Sequence, residues 1–191
     1  MEFTPDEIAD SLSDLGIAVL HLLHARDSSA VRGDVAFQKE FFLIANYIER
    51  IGDDADFLPH IFGPYSEPAE VALTGLISLG LVRRSRGRYT LTPEGNRVWE
   101  SVRSAFSDDE IAAIEDFKAF INDLTGDELL LFIYITFPEY TSESARLLDI
   151  ARRRVPLSTS LYRKGKISLA KAAFLAGMNI ESYLDYLKGE A

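Results

Sequence analysis

The sequence predicts a mainly α-helical protein that contains one small β-hairpin. Apolar residues recur at helical spacing along most of the 191 residues. Only residues 81–92 change to a strand-like pattern, around a glycine. A hydrophobic share of 47% and a charged share of 26% are typical of a globular chain with a real core.

The first helix is predicted to begin after Thr4, because Thr4 and Glu7 have capping-box spacing around Pro5. One apolar stripe follows it: Ile8, Leu12, Leu15, Val19 and Leu22. This spacing predicts one long amphipathic helix. The stripe allows a homodimer through this helix, or it is used wholly in the chain's own core.

Two further helices should follow. A second apolar stripe consists of Phe37, Phe41, Ile44, Ile48 and Ile51, and it ends at Gly52. A third helix is predicted from about Glu67, with Pro68 in its first turn, to Gly80 as its C-terminal cap.

The hairpin and a fourth helix complete the N-terminal half. Two short strands are predicted on either side of Gly87, and Thr92-Pro93-Glu94-Gly95 opens the next helix. Three helices, a hairpin and a helix is the order of a winged helix-turn-helix. We therefore predict a winged-helix domain over residues 1–106, with the hairpin as its wing.

Residues 107–191 are predicted to form a second, all-α domain. A capping box at Ser107 and Glu110 starts it, and Leu129–Phe137 is apolar on all sides, which favours a central helix over the alternative of a strand. The tail should contain three short helical stretches broken at Gly165 and Gly177, ending in a unit that resembles a helix-turn-helix.

The wing carries the strongest functional signal. Arg83, Arg84, Arg86 and Arg88 lie on one hairpin with no acidic residue between Leu81 and Thr92. Clustered guanidinium groups can bind a phosphate backbone or enter a minor groove. The alternative is an exposed hairpin whose charges only keep it soluble and blunt strand pairing.

The third helix is the one expected to enter a DNA groove. Its neutral polar groups able to reach bases are Ser66, Thr74 and Ser78, whereas Glu67 and Glu70 oppose contact with phosphate. The helix permits DNA contact without demonstrating sequence reading.

Basic residues in the second domain are candidates for nonspecific contacts with the DNA backbone. They are Arg152, Arg153, Arg154, Arg163, Lys164, Lys166 and Lys171. The formal net charge of −10 repels nucleic acid at long range, so binding depends on such local patches.

Several function classes are disfavoured. The chain has no Cys, which removes disulfides, thiolate zinc sites, iron–sulfur clusters and thiol nucleophiles. His21 and His24 could share a helix face, but a metal would need a third ligand such as Asp27 or Asp34, and no spacing nominates one. We favour pairing of these histidines with the helix dipole, and we predict no metal, no cofactor and no catalytic residue, since phosphate loops and nucleophile elbows are missing.

The expected location is the cytoplasm. The N-terminal segment is acidic and has no signal-peptide pattern, and no apolar run approaches the length of a membrane span.

Two segments resemble known families. The first resembles the Panacea-type antitoxin and proteolytic-adaptor proteins over about residues 35–95. Its motifs are Phe37-Gln38-Lys39 with Phe41-Phe42-Leu43, then Phe62-Gly63-Pro64-Tyr65-Ser66, then Leu79-Gly80-Leu81-Val82 and Tyr89-Thr90-Leu91-Thr92-Pro93-Glu94-Gly95. This resemblance implies a prokaryotic regulator that binds a protein partner, DNA, or both.

The second resemblance lies in the tail. Leu161–Ser168, Ala172-Ala173, Leu175–Met178 and Tyr183-Leu184 resemble small prokaryotic helix-turn-helix proteins of antitoxin type, over about residues 157–188.

The sequence therefore predicts a DNA-associated regulator, of antitoxin or transcription-factor type, that contacts duplex DNA through its arginine-rich wing. The alternative is a protein-interaction module without DNA binding, a toxin-neutralising or proteolytic-adaptor-like scaffold that presents Tyr65 to its partner.

Overall fold

The structure is a computed structural model, and it describes residues 4–189. Within that range the protein is mainly α-helical, with one two-stranded antiparallel sheet. The helices are α1 (Pro5–Ser11), α2 (Asp14–Ser28), α3 (Gly33–Tyr47), α4 (Glu49–Ala55), α5 (Glu67–Ser78), α6 (Pro93–Val102), α7 (Asp108–Asn122), α8 (Gly126–Thr136), α9 (Leu147–Arg152), α10 (Arg154–Arg163), α11 (Leu169–Ala176) and α12 (Ile180–Gly189). The strands are β1 (Val82–Ser85) and β2 (Arg88–Leu91).

The chain forms two compact units. The N-terminal unit comprises the residues up to Leu58 together with Pro64–Asn122, and the C-terminal unit comprises Pro59–Gly63 together with the residues from Asp123 onward. The predicted boundary after residue 106 therefore moves to residue 122. The physical reason is that α7 packs against α2 and α3 and belongs to the N-terminal core.

Helix α2 is the centre of the N-terminal unit. Its residues from Leu15 to Leu23 are all buried, and it packs against α5, α6, α7 and the hairpin. The apolar stripe of the first predicted helix is therefore used in the chain's own core. Of the two alternatives for this stripe, the structure supports burial in the chain's own core.

Two predicted helices are each interrupted. The first divides into α1 and α2 because Ser13 is an N-cap, and its hydroxyl accepts a hydrogen bond from the Gly16 amide at 3.2 Å. The second divides into α3 and α4 at Ile48, whose backbone is extended. In both cases the apolar spacing continues across the break, so periodicity alone did not reveal it.

The C-terminal unit is built around α8. The run from Leu129 to Leu131, with Ile133 and Tyr134, is buried, and α8 packs against α9, α10 and α11. The prediction of a central helix rather than a strand is confirmed. The three short helical stretches of the tail are also confirmed, as α10, α11 and α12.

None of the helices in residues 4–189 combines the length and the apolar character that crossing a membrane requires.

Candidate nucleic-acid interface

The hairpin that carries the four arginines is closed by a two-residue turn. Arg86 (φ 50°) and Gly87 (φ 70°) both have positive φ, which is the backbone of a type I′ turn. Strands β1 and β2 are antiparallel, and their register pairs Arg83 with Thr90, Arg84 with Tyr89, and Ser85 with Arg88. This register decides which side of the hairpin each arginine occupies.

One side of the hairpin faces the core of the N-terminal unit. Val82, Tyr89 and Leu91 on this side are buried. Arg84 shares the side and lies over the Tyr89 ring, with its guanidinium carbon 5.4 Å from the ring centroid. Arg84 is therefore the arginine of the cluster that belongs to the inner side.

Asp34, at the start of α3, binds this inner side. Its carboxylate accepts a hydrogen bond from Arg84 Nη2 at 2.9 Å and another from the Tyr89 hydroxyl. Burial and the bond to Asp34 raise the pKa of Tyr89 to about 12, so the phenol remains a donor. Arg84 is thus paired with a carboxylate, and its predicted role as a free phosphate ligand needs correction.

The other side of the hairpin is its outer face, which we define as Arg83, Ser85, Arg88 and Thr90 with Arg86 on the turn. Arg83, Arg86 and Arg88 are exposed, and together with Ala30 the outer face lines a shallow cleft of about 510 Å³. Within residues 4–189, no carboxylate oxygen comes within 4.0 Å of these three guanidinium groups. The outer face therefore presents three uncompensated positive charges.

The hairpin is attached to the unit along one edge. The Val31 and Tyr89 backbones exchange hydrogen bonds, from Val31 N to Tyr89 O at 3.1 Å and from Tyr89 N to Val31 O at 2.9 Å. With Asp34 on the inner side, these bonds hold the outer face in a fixed orientation.

Helix α5 begins at a buried N-cap. Ser66 is fully buried, and its hydroxyl accepts from the Ala69 amide at 3.0 Å and donates to the Ala55 carbonyl. Its predicted role in reading bases is therefore wrong, since the hydroxyl stabilises the helix start and has no access to a ligand.

Gln38 and Lys39 hold the backbone that leads into α5. The Gln38 amide bonds both ways with the Ser66 backbone, at 2.8 Å and 3.0 Å, and Lys39 Nζ donates to the Pro64 carbonyl at 2.7 Å. Burial lowers the pKa of Lys39 to about 7. The Gln-Lys pair of α3 therefore contacts the Gly-Pro-Tyr-Ser turn directly, although the two motifs are separated in the sequence.

The outward side of α5 is acidic. Thr74 and Ser78 are exposed as predicted, although the Ser78 hydroxyl donates to the Thr74 carbonyl at 2.9 Å. Glu67 and Glu70 are exposed on the same helix, and the Tyr65 hydroxyl donates to the Glu70 carboxylate. This bond raises the pKa of Tyr65 to about 12.

Most of the predicted basic ligands in the C-terminal unit have partners inside that unit. Their contacts are Arg153 with Asp127 and Asp149, Arg154 with the Leu175 and Phe174 carbonyls, Lys164 with Glu128 and the Asp123 carbonyl, Lys166 with Asp123, and Lys171 with Thr136. A phosphate would have to compete with each of these contacts. Arg152 and Arg163 are exposed, and Arg163 also interacts within the chain, so the predicted backbone-binding surface is reduced to a small part of the original set.

The two histidines of α2 belong to an aromatic cluster. Trp99 Nε1 donates to His21 Nδ1 at 3.2 Å, and His24 stacks on the Trp99 ring at 3.4 Å between centroids. Burial lowers the pKa of His21 to about 4, so its imidazole is neutral and its predicted pairing with the helix dipole is wrong. In residues 4–189 no group of three His, Asp or Glu side chains is arranged to hold a metal ion.

Asp34 is a residue of the candidate site that the sequence alone did not indicate. It was considered there only as a third metal ligand, because nothing in the local pattern links it to residues 84 and 89. Pairing it with the hairpin requires knowing that Val31 lies beside β2.

Comparison of the chain with models of protein families, with curated proteins and with solved structures found no match.

Proposed function

We propose that this protein is a DNA-associated regulator that contacts duplex DNA through the outer face of its hairpin. The observation that carries the proposal is the outer face itself. Arg83, Arg86 and Arg88 are exposed together on a hairpin of fixed orientation, and in the described residues no carboxylate oxygen lies within 4.0 Å of their guanidinium groups. Arginine suits phosphate oxygens and narrow minor grooves because its planar fork donates several hydrogen bonds.

The order of elements in the N-terminal unit supports a winged helix-turn-helix. Helices α2, α3 and α5 precede the hairpin, and Val31 pairs with Tyr89 of β2 in an isolated antiparallel bridge. In that architecture the hairpin lies beside the helix that approaches DNA. The resemblance of residues 35–95 to regulatory antitoxins and adaptors points the same way.

The acidic side of α5 limits the mode of binding. Glu67 and Glu70 would repel phosphates if α5 entered a major groove. Binding led by the wing avoids this repulsion, and it favours contact with backbone and minor groove over base reading in the major groove. Such binding should be weak and strongly dependent on salt.

Matched arginine variants test the proposal. R86A/R88A removes two charges from the outer face, while R97A/R103A removes two exposed arginines elsewhere on the N-terminal unit that pair with Glu94 and Glu100. Fluorescence anisotropy with a labelled random duplex, at several salt concentrations, compares them at equal net charge. We expect R86A/R88A to reduce the slope of log K against log salt by about 1.8, since each phosphate contact contributes about 0.9. Equal effects of the two variants would remove the outer face from the mechanism.

A protein-interaction module without DNA binding is the second candidate, favoured by the acidic side of α5. It would act as a toxin-neutralising or proteolytic-adaptor-like scaffold, with Tyr65 and α5 as the contact surface. Purification of the protein with one stoichiometric partner and no nucleic acid, together with loss of that partner in E67K/E70K, would support this candidate over the first.

A further inference from the structure

The N-terminal unit carries two surfaces of opposite charge. One is the outer face of the hairpin. The other, here called the α5 face, consists of Tyr65, Glu67, Glu70, Val71, Thr74 and Ser78, and it lines an open concavity of about 480 Å³.

The α5 face is both acidic and uncovered. Across residues 4–189, no Lys or Arg nitrogen lies within 4.0 Å of Glu67 or Glu70. Val71, between these carboxylates and Thr74, is 64% exposed although it is apolar. A methyl group added at the neighbouring Gly75 would meet no described atom within 4 Å beyond its adjacent residues and the backbone of its own helix. The described part of the N-terminal unit therefore leaves Glu67, Glu70 and Val71 exposed.

Both surfaces belong to the N-terminal unit, so every copy of the chain presents one hairpin and one α5 face. Two copies could therefore make the same contact twice. A two-fold axis between them would place each hairpin against the α5 face of the other copy.

We propose that the occupant of the α5 face is the hairpin of a second copy of this chain. Arg86, at the projecting tip of the turn, enters the concavity beside Glu67 and Glu70. Arg83 and Arg88 border the same contact from the outer face. Charge complementarity favours this occupant, because the uncompensated guanidinium groups of one copy meet the uncompensated carboxylates of the other.

The net charge of −10 does not prevent this contact. At physiological ionic strength the Debye length is about 8 Å, so repulsion between distant charges is screened while adjacent opposite charges still attract. The dimer would be weak and would dissociate in high salt.

This dimer does not depend on DNA binding, but it would regulate it. The same arginines cannot contact phosphate and the α5 face at once. Dimerisation and DNA binding would therefore exclude each other, and a short duplex would dissociate the dimer.

Charge reversal on each surface tests the proposal. R86E/R88E makes the hairpin and the α5 face both acidic, and E67K/E70K makes both basic. We expect light scattering after size exclusion to find each variant monomeric at concentrations where the wild type dimerises, with an apparent Kd raised at least tenfold, about 1.4 kcal/mol. The equimolar mixture should form a heterodimer, because both contacts are then complementary.

The control is R97E/R103E, which has the same net charge as R86E/R88E and an unaltered hairpin. It should keep the wild-type dimer on its own. Circular dichroism of every variant checks the fold. A mixture of R86E/R88E with E67K/E70K that stays monomeric while both variants are folded would overturn the proposal, as would a wild type that is monomeric at every concentration. Either result would leave the α5 face to a cationic segment of another protein.

Discussion

At the scale of single residues, the chemistry of this protein depends on where charge is buried or left unpaired. His21 is 3% exposed and accepts a hydrogen bond from Trp99 at Nδ1, which assigns its proton to Nε2. Within the described chain, Nε2 has no hydrogen-bond partner. A second proton would have to bind Nδ1, which already accepts the hydrogen bond from Trp99. The charged ring would also be out of contact with water, so burial keeps the imidazole neutral.

This neutral histidine makes stability depend on pH. The pKa of His21 is about 4 in the folded chain and 6.5 in the reference state. As pH falls through that window the unfolded chain binds a proton that the folded chain does not, so folding stability decreases. Between neutral pH and about pH 4.5 we expect His21 to account for a loss of about 2–3 kcal/mol.

Urea unfolding of the wild type and H21Q at both pH values measures this contribution. Gln can still accept from Trp99 but does not titrate, and carboxylates that protonate elsewhere affect both proteins alike. H21Q should therefore lose less stability than the wild type on acidification. Parallel losses would contradict a buried, neutral His21.

Residue patterns in the sequence predicted local contacts better than distant ones. Thr4 with Glu7 and Ser107 with Glu110 form the hydrogen bonds of the two capping boxes predicted from the sequence, and Thr125 with Glu128 forms a third. These pairs lie three residues apart, so local rules are sufficient. Ser66 also caps a helix, but the same pattern could not show that burial removes it from any ligand.

At the scale of elements, the buried pair of Lys118 and Glu40 joins α7 to α3. Lys118 Nζ lies 3.1 Å from Glu40 Oε2, and the side chains are 0% and 4% exposed. The partners are 78 residues apart in sequence. The capping box at Ser107 and Glu110 indicates where α7 begins, but it could not indicate that a charge further along the helix is buried.

Breaking this pair should destabilise the N-terminal unit strongly. In K118M the Glu40 carboxylate loses its partner in a buried site, and we expect a cost of about 3–5 kcal/mol in the free energy of unfolding. E40L/K118M removes both charges and should recover most of that loss. Urea unfolding measures both variants, and a cost below about 1 kcal/mol for K118M would mean that the pair is not buried as described.

At the candidate site, the sequence predicted the hairpin but not the arrangement of its arginines. The glycine turn and the arginine cluster were sufficient to predict both strands. The sequence could not show that Arg84 lies on the inner side of the hairpin while the other arginines lie on the outer face. This separation follows from the strand register, which pairs Arg84 with Tyr89, and from the contact of Arg84 with Asp34 on another element.

At the scale of the whole molecule, apolar spacing and helix caps were sufficient to predict the order of the helices. They were not sufficient to predict which helices belong to each compact unit. The acidic stretch at residues 107–110 looked like a domain boundary, yet it caps a helix that completes the N-terminal core. Unit boundaries depend on packing between distant helices, which composition does not report. The same limit applies to the basic residues of the C-terminal unit, where charges that looked available have intramolecular partners.

The charge distribution of the whole molecule makes the outer face of the hairpin the critical feature. The chain carries a formal net charge of −10, and the arginines of the C-terminal unit are largely paired. The proposed contact with DNA would therefore depend on a local positive surface that acts at short range.

NMR titration of the arginine side-chain Nε–Hε signals with a short duplex tests this claim most directly. Added duplex should shift the signals of Arg83, Arg86 and Arg88, and high salt should reverse the shifts. The signals of Arg97 and Arg103 serve as internal controls and should stay in place. Unchanged signals from the three hairpin arginines, at duplex concentrations that shift other parts of the protein, would contradict the account.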